Sequence, residues 1–272
     1  MKKIFLLSLV FFSLFCLTGC EKKSSETATN SNSNNEALTP SPSPEPTKNY
    51  LTEYQIPILM YHYIRDFNDP NDQTGTNLSV SPNRFDEQLT WLEQNNYQTV
   101  SMDYVEKPYE LPDNKKPIVI TFDDGYRDAY TNAYPILKKH NMTGTFYLIY
   151  NFSQKNDDNY LTWDMAKEMA SNNMELGSHT LSHPNLVQAS ATNLKKEIEE
   201  SKQKIQEQTN TDINHFCYPS GKYNNDVITA LKSANYKTAV TTKSGIANQN
   251  SDLFELPRVR MTNATNLKMS LK

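Results

Sequence analysis

The sequence has little cysteine, glycine or tryptophan, and no excess of positive charge. Among 272 residues there are 3 cysteines, 7 glycines and 2 tryptophans. Cys16 and Cys20 stand near the beginning, so a folded domain further along retains Cys217 alone, and one cysteine excludes an internal disulfide. The formal net charge is -4, and no stripe rich in lysine and arginine is present, which argues against a nucleic-acid partner. Because no internal disulfide can form, the stability of the domain has to come from a packed core.

The first residues have the order of a secretory signal peptide. Lys2 and Lys3 precede an apolar run over residues 4–17, and the segment ends in Leu-Thr-Gly-Cys at residues 17–20. The run is shorter than the roughly 20 apolar residues that a membrane span needs. The ending resembles the bacterial lipobox, which predicts a signal peptide over residues 1–19 and a lipid on Cys20. An ordinary signal peptide with an incidental cysteine is the alternative. We expect an extracytoplasmic protein, lipid-anchored to the outer face of a bacterial membrane or secreted.

Residues 20–54 differ in composition from everything that follows. They are rich in Ser, Asn, Thr, Pro and Glu, and include Ser-Pro-Ser-Pro-Glu-Pro at residues 41–46. Such a segment cannot bury enough apolar surface to fold, so it predicts a disordered tether. Residues 55–272 are long enough for one domain with a sizeable core.

Short apolar runs alternate with helical patterns through this domain. The helical patterns include one that follows Ser81-Pro82, one capped by Thr162, and two over residues 192–208 and 226–234. Strands are predicted over residues 56–62, 98–102, 117–123, 144–149, 175–179, 215–218, 237–241 and 256–260. This alternation predicts an α/β fold with parallel strands and helices outside them. The length favours a distorted or incomplete (β/α) barrel over a complete eight-fold one, although the pattern alone does not separate a barrel from an open sheet.

Two adjacent carboxylates follow one predicted strand. Asp123 and Asp124 end the run Pro-Ile-Val-Ile-Thr-Phe-Asp-Asp and precede Gly125. Neighbouring carboxylates repel each other unless a cation or a proton shares the site. Because adjacent strand residues point to opposite sides, different roles are expected for the two. A turn or a helix cap is the structural alternative, since Asp-Asp-Gly also favours turns.

Two histidines follow the next strand but one. His179 and His183 are four residues apart, which allows them to bind one metal ion, and Pro184 favours a turn rather than a long helix there. Carboxyl ends of parallel strands share one edge, so an aspartate and these histidines form a possible set of three metal ligands with open positions for water and substrate. The second aspartate is then available as a base.

These motifs resemble those of a known family. Thr-Phe-Asp-Asp-Gly-Tyr at residues 121–126 and His-Thr-Leu-Ser-His at residues 179–183 are similar to the first two motifs of the polysaccharide deacetylases, carbohydrate esterase family 4, also called the NodB-homology domain. The resemblance implies that Asp123 is the general base activating metal-bound water. It also implies that Asp124, His179 and His183 bind the metal, zinc first, with cobalt, nickel, iron or manganese as alternatives.

The third motif departs from the usual family pattern. Residues 216–221 read Phe-Cys-Tyr-Pro-Ser-Gly, so Cys217 stands where the family usually has an arginine that orients the base. Pro219 matches, and Ser220 stands where a backbone N–H is implied to help form the oxyanion hole. Arg258, in Leu-Pro-Arg, is the candidate that replaces the missing charge; a surface ion pair is its alternative.

The chain is closest in pattern to the poly-N-acetylglucosamine deacetylase-like subgroup. Its Tyr-Pro-x-Gly and Leu-Pro-Arg segments, and Ile-Leu-Met-Tyr-His-Tyr at residues 58–63, carry this resemblance. The subgroup takes its proton-donating histidine from the amino-terminal strand, which implies that His62 is the general acid. His140 is expected on the surface at a helix end, and no role is assigned to His215.

The resemblance implies hydrolysis of acetyl groups from an N-acetylglucosamine-containing polysaccharide at the cell surface. Poly-N-acetylglucosamine, peptidoglycan and chitin oligomers remain possible substrates. Tyr126 and Tyr218 are candidates for sugar contacts because sugar rings stack on aromatic faces. The same catalytic residues also suit an O-acetyl esterase acting on xylan. A metal- and glycan-binding lipoprotein without catalytic activity is the alternative of a different class.

Overall fold

A closed ring of parallel strands forms the centre of the protein. The computed structural model describes residues 48–155 and 157–271. Its strands are β1 (Gln55–Ile56), β2 (Ile58–Tyr61), β3 (Tyr63–Ile64), β4 (Ser79–Val80), β5 (Tyr97–Thr99), β6 (Lys116–Phe122), β7 (Thr145–Leu148), β8 (Glu175–Ser178), β9 (His215–Cys217), β10 (Thr238–Ser244), β11 (Ala247–Asn248) and β12 (Leu256–Arg260). The sheet order is β2-β12-β10-β9-β8-β7-β6, and a β2–β6 pairing closes it. The predicted α/β fold with an incomplete (β/α) barrel is therefore confirmed, as a seven-stranded parallel barrel.

The strand β5 lies outside this ring. It pairs with the amino-terminal half of β6 over Lys116 to Ile118, whereas β2 pairs with residues Val119 to Phe122 of the same strand. The strand β6 is thus long enough to pair with β5 at its beginning and with β2 further along. The short pairs β1–β11 and β3–β4 lie apart from the barrel sheet.

Side chains alternate between the inside and the outside of the barrel, as the two-residue strand period requires. One buried cluster includes Ile58, Val119, Tyr147, Cys217 and Val240, which belong to five different barrel strands. Their sequence neighbours pack in a second, larger cluster with the helices; Leu59, Ile120, Phe146, Phe216 and Ala239 are examples. The strands read as continuous apolar runs because both of their faces are buried.

Helices cover the outside, and side-chain caps define several of their beginnings. They are α1 (Gln73–Leu78), α2 (Pro82–Gln94), α3 (Met102–Glu106), α4 (Tyr134–Lys139), α5 (Tyr150–Gln154), α6 (Trp163–Ser171), α7 (Ala191–Lys195), α8 (Ser201–Thr209), α9 (Asn225–Ser233) and α10 (Leu267–Ser270). Ser81 caps α2 by accepting the Arg84 N–H, and Thr162 caps α6 by accepting the Met165 N–H. Both caps agree with the sequence prediction.

Three single turns of 3-10 helix and two π-helical turns complete the helical structure of the described residues. The former are Pro112–Asn114, Leu186–Gln188 and Pro219–Gly221, and the latter are Ala129–Ala133 and Lys196–Glu200. The second π-helical turn joins α7 to α8, so the helix predicted over residues 192–208 is continuous but wider in its middle. Such turns occur frequently at functional sites.

The predicted signal peptide, Cys20 and most of the predicted tether lie outside the described residues. Within residues 48–155 and 157–271, no helix is long and apolar enough to cross a membrane.

The expectation that His140 lies on the surface is corrected. His140 does follow the end of α4, but its side chain is only 7% exposed because Asp86 and Glu93 pack on the two ring nitrogens at 2.8 and 3.0 Å.

Candidate active site

The predicted site residues meet at the carboxyl end of the barrel. His62, Asp123 and His179 each directly follow a barrel strand, namely β2, β6 and β8. Arg258 lies on β12, between β2 and β10 in the ring. The parallel direction of the strands brings these four residues to the same end. The structure therefore groups residues that are far apart along the chain.

A buried ion pair fixes the orientation of Asp123. Arg258 is fully buried and donates to both carboxylate oxygens of Asp123, at 2.7 Å each. Its remaining donors reach the Thr241 carbonyl at 2.8 Å and the Thr121 hydroxyl at 3.0 Å. This two-pronged geometry is the strongest arrangement for an arginine and a carboxylate. The alternative of a surface ion pair for Arg258 is excluded.

The surroundings of Asp123 and His62 shift their proton affinities. Burial alone raises the pKa of the Asp123 carboxyl, but the charge and hydrogen bonds of Arg258 outweigh burial and hold this pKa well below its usual range. Burial lowers the pKa of His62, and the nearby Asp123 and Asp124 charges only partly oppose this effect. Nε2 of His62 lies 3.7 Å from Oδ2 of Asp123. The site thus holds an ionised carboxylate beside a histidine that favours its neutral form.

Asp124, His179 and His183 present three possible ligand atoms to one point. All three atoms lie within 4.8 Å of one another. Oδ1 of Asp124 is 3.4 Å from Nε2 of His179 and 3.6 Å from Nε2 of His183. These separations exceed the usual hydrogen-bond range of about 2.7–3.2 Å. They are close to the ~3.3 Å expected between two ligands of one tetrahedral zinc ion.

The hydrogen bonding of His179 also fits a metal ligand. Its Nδ1 lies 2.6 Å from the carbonyl oxygen of Cys217. A carbonyl only accepts, so Nδ1 carries a proton and donates it, and Nε2, which faces Asp124, is the nitrogen available to bind a metal ion. Backbone carbonyls commonly orient metal-binding histidines in this way. The three residues therefore suit a divalent ion such as zinc, as the sequence predicts.

Unusual backbone conformations place two of these three residues. Asp124 has φ 69° and His183 has φ 61°, both in the left-handed region. This region is uncommon for residues other than glycine, so the surrounding structure has to hold it. At His183 the hydroxyl of Thr180 accepts the His183 N–H at 2.8 Å.

Glu197, which no sequence motif predicted, holds the loop between the two histidines. One carboxylate oxygen accepts the N–H groups of Leu181 and Ser182 at 2.9 and 3.0 Å, and the other accepts the Ser182 hydroxyl at 2.6 Å. Glu197 belongs to the π-helical turn that joins α7 to α8. In the sequence it is one acidic residue among several on a charged helix, so no pattern marks it.

The third motif lies at the same end of the barrel, after β9. Cys217 is buried, and its sulfur lies 3.4 Å from Nη2 of Arg258. Pro219 is buried, and the exposed Ser220 that follows has φ 54°. Ser220 therefore lies in a tight turn, in which the Gly221 N–H donates to the Tyr218 carbonyl at 2.8 Å.

The two tyrosines predicted to contact sugar differ in position. Tyr126 is partly exposed and stacks on Tyr63, with ring centroids 3.7 Å apart. Both line an open groove of about 550 Å³ together with Tyr160. Tyr218, in contrast, is 1% exposed, and its hydroxyl donates to the Phe254 carbonyl at 2.9 Å. The prediction for Tyr218 was wrong because its ring is part of the core.

The chain matches the family model described as polysaccharide deacetylase over residues 110–239. It is 33% identical over 212 residues to YxkH of Bacillus subtilis, which is assigned to the polysaccharide deacetylases; the match covers 76% of this chain and 72% of YxkH. It is 27% identical over 226 residues to the poly-beta-1,6-N-acetyl-D-glucosamine N-deacetylase of Staphylococcus aureus, covering 74% of this chain and 77% of that protein.

A solved structure supports the same relationship. The deacetylase PplD of Streptococcus pyogenes, in complex with acetate, is similar with a TM-score of 0.74 and 35% sequence identity. The similarity covers 80% of this chain and 98% of PplD, so it includes almost the whole of that protein.

Proposed function

The chain belongs to the polysaccharide deacetylase family, carbohydrate esterase family 4, and we propose that it hydrolyses N-acetyl groups of an N-acetylglucosamine-containing polysaccharide with the help of a divalent metal ion. The observation that carries this proposal is the joint placement of the Asp123–Arg258 pair and the three possible metal ligands. The name of the Staphylococcus aureus relative supports an N-acetylated substrate.

Asp124, His179 and His183 are the residues that would hold the ion, and zinc is the first choice for two imidazoles and one carboxylate. When bound, such an ion polarises the acetyl carbonyl and lowers the pKa of water. Cobalt, nickel, iron and manganese suit the same ligands.

Asp123 is assigned the role of general base. Because Arg258 keeps its carboxylate ionised and fixes its plane, the carboxylate is ready to accept a proton from the attacking water. The water oxygen then forms a bond to the acetamide carbon. The Ser220 N–H is assigned to stabilise the negative charge that develops on the carbonyl oxygen.

His62 is assigned the role of general acid. Its lowered pKa leaves the ring neutral in the free site, so it first has to receive a proton. Asp123 lies 3.7 Å away and can pass on the proton taken from water. His62 then protonates the nitrogen as the carbon–nitrogen bond breaks, and acetic acid and a free amine result. The acid passes its remaining proton to the amine or to solvent and leaves as acetate.

Substrate contacts and location complete the proposal. The groove beside Tyr63 and Tyr126 is assigned to sugar rings next to the one that reacts. Poly-N-acetylglucosamine, peptidoglycan and chitin oligomers all carry the N-acetyl group that the proposed reaction removes. A lipid on Cys20 would place the enzyme at the outer face of a bacterial membrane, where such polymers occur.

Acetate release tests the reaction, with Asp123→Asn as the decisive variant. We expect wild-type chain to release acetate from N-acetylglucosamine oligomers more rapidly than from acetylated xylan. Asp123→Asn should lower kcat by at least about 100-fold, as losing a general base does, while the bound metal content stays the same.

Asp164→Asn is the matched control, since this carboxylate is almost fully exposed beside Lys167 on α6 and lies outside the groove assigned to sugar rings. Faster acetate release from acetylated xylan would show that the enzyme prefers an O-acetyl ester to an N-acetyl group. Near-normal activity of Asp123→Asn would contradict the role of the base.

A further inference from the structure

A second group of potential metal ligands lies at the opposite end of the barrel. We call Asp103, Glu175 and His215 the lower cluster. Glu175 and His215 are the first residues of β8 and β9, and Asp103 belongs to α3, which packs nearby. One ligand atom from each residue lies within 4.8 Å of the other two. Like His140, His215 has no role in the proposed reaction.

His215 has one ring nitrogen without a hydrogen-bond partner. The residue is 1% exposed, and its Nδ1 pairs with the Thr238 hydroxyl at 2.9 Å. Its Nε2 is buried and has no hydrogen-bond partner among residues 48–155 and 157–271. This atom points at Oδ1 of Asp103, 3.3 Å away, and at Oε1 of Glu175, 3.4 Å away. We call Asp124, His179 and His183 the upper site. The arrangement of the lower cluster matches it, because there too an oriented histidine faces a carboxylate at 3.4 Å.

The two carboxylates are also held in place. Oε2 of Glu175 accepts the Met102 N–H at 2.9 Å and the Thr145 hydroxyl at 2.6 Å, which directs Oε1 towards His215. Asp103 is half-exposed, so the cluster is open to solvent on one side. A small ion could therefore reach the three atoms without unfolding the barrel.

The two carboxylates of the cluster already have cationic partners, with which a metal ion has to compete. Two carboxylates face one lysine, Lys237, whose Nζ lies 2.9 Å from Oδ1 of Asp103. Burial acts to lower the pKa of His215, but Asp103 and Glu175 raise it to about 9. A proton on His215 is therefore the competitor that a metal ion has to displace.

We propose that the lower cluster is a second site for a divalent transition-metal ion, which ties α3 to the amino-terminal ends of β8 and β9. One imidazole and two carboxylates suit zinc, manganese, iron or cobalt. Glu175 and His179 are four residues apart on one strand, or roughly 13 Å. Because two-metal catalytic sites need a spacing of about 4 Å, the lower site is structural and independent of the proposed reaction.

Metal content measured by mass spectrometry tests this site without reference to activity. The full chain is stripped with a chelator and then dialysed against zinc at about pH 8. Wild type should retain about two zinc ions per chain, and Asp103→Asn about one. Glu106→Gln is the matched control, because this carboxylate is exposed on the same helix and should leave about two.

A second variant isolates the lower site. In His183→Gln, which weakens the upper site, zinc should still raise Tm, and adding Asp103→Asn should abolish that rise. One zinc ion in both wild type and Asp103→Asn would overturn the proposal. Failure of zinc to raise Tm in His183→Gln would also overturn it, because protonated His215 would then be held only by its ion pairs with Asp103 and Glu175.

Discussion

Arg258 shows how one residue can supply the charge that the third motif of this chain lacks. The family resemblance predicts an arginine at the position of Cys217, yet it is Arg258 that brings a guanidinium to Asp123, from 135 positions along the chain. The small, uncharged Cys217 side chain is in contact with the same guanidinium. The site therefore keeps the charge near the base while changing the strand that carries it.

Removing the charge of Arg258 should affect stability and activity in different ways. Arg258→Gln leaves the Asp123 carboxylate buried without its partner, which costs about 3–5 kcal/mol of unfolding free energy. Arg258→Lys should recover only part of the activity because a lysine lacks the planar guanidinium that donates from two nitrogens to the two oxygens. Denaturant unfolding and acetate release measure the two effects.

The double variant Asp123→Asn with Arg258→Gln separates them. It removes both charges, so it should regain part of the stability but none of the activity. Equal activity of Arg258→Gln and wild type would show that another group orients the base.

Asp128 makes the stability of the folded protein decrease as pH rises. Burial raises its pKa to about 6, so the folded protein holds this proton more tightly than the unfolded chain, where the pKa is about 3.9. Its contribution is complete below the unfolded pKa and is lost as pH rises through the folded pKa. Asp128→Asn should therefore stabilise the protein by about 1–3 kcal/mol at pH 7.5 and by less at pH 5. Denaturant titrations at the two pH values, with Asp158→Asn as an exposed control, measure the difference.

The sequence motifs predicted the site residues unequally well. Asp123, Asp124, His179 and His183 could be named because adjacent strand ends and short spacings are local features. The contact of Arg258 with Asp123 could be suggested only through resemblance, since a pairing over 135 positions leaves no local signal. Tyr218 could not be told from a sugar-binding residue, because exposure is not readable among 16 tyrosines.

At the scale of elements, the long helix beside the barrel does more than cover the core. Its π-helical turn, Lys196–Glu200, contains Glu197, which accepts three hydrogen bonds from the loop between His179 and His183. Periodicity predicted this helix, but it could not predict the extra residue in one turn. The strand predictions were better, since every barrel strand overlaps a predicted one and differs mainly at its ends.

Glu197→Ala should weaken metal binding at the upper site. Without its three hydrogen bonds, the loop no longer holds His183 in its left-handed conformation, and loss of an outer-shell partner typically costs about 10–100-fold in metal affinity. Competition titration with a chromogenic chelator measures the change. Glu199→Ala is the matched control, because Glu199 pairs only with the exposed Lys195 at 3.7 Å. Equal affinities of the two variants would rule out a positioning role for Glu197.

At the scale of the molecule, barrel closure depends on one pairing. The strand β2 has β12 on one side and β6 on the other, so the amino-terminal and carboxyl-terminal strands are neighbours. This pairing brings His62, Arg258 and Asp123 together. Alternating strands and helices predicted a parallel fold, but the periods of individual elements contain no information about whether the first and last strands meet.

Acetate release measured with the metal removed and then restored tests the central claim most directly. The full chain is assayed with N-acetylglucosamine oligomers as prepared, after chelation and after zinc is restored. The account predicts that chelation abolishes acetate release and that zinc restores it. Release that persists after complete removal of metal would contradict the proposed metal-dependent reaction, as would the absence of release from a folded chain with zinc bound at Asp124, His179 and His183.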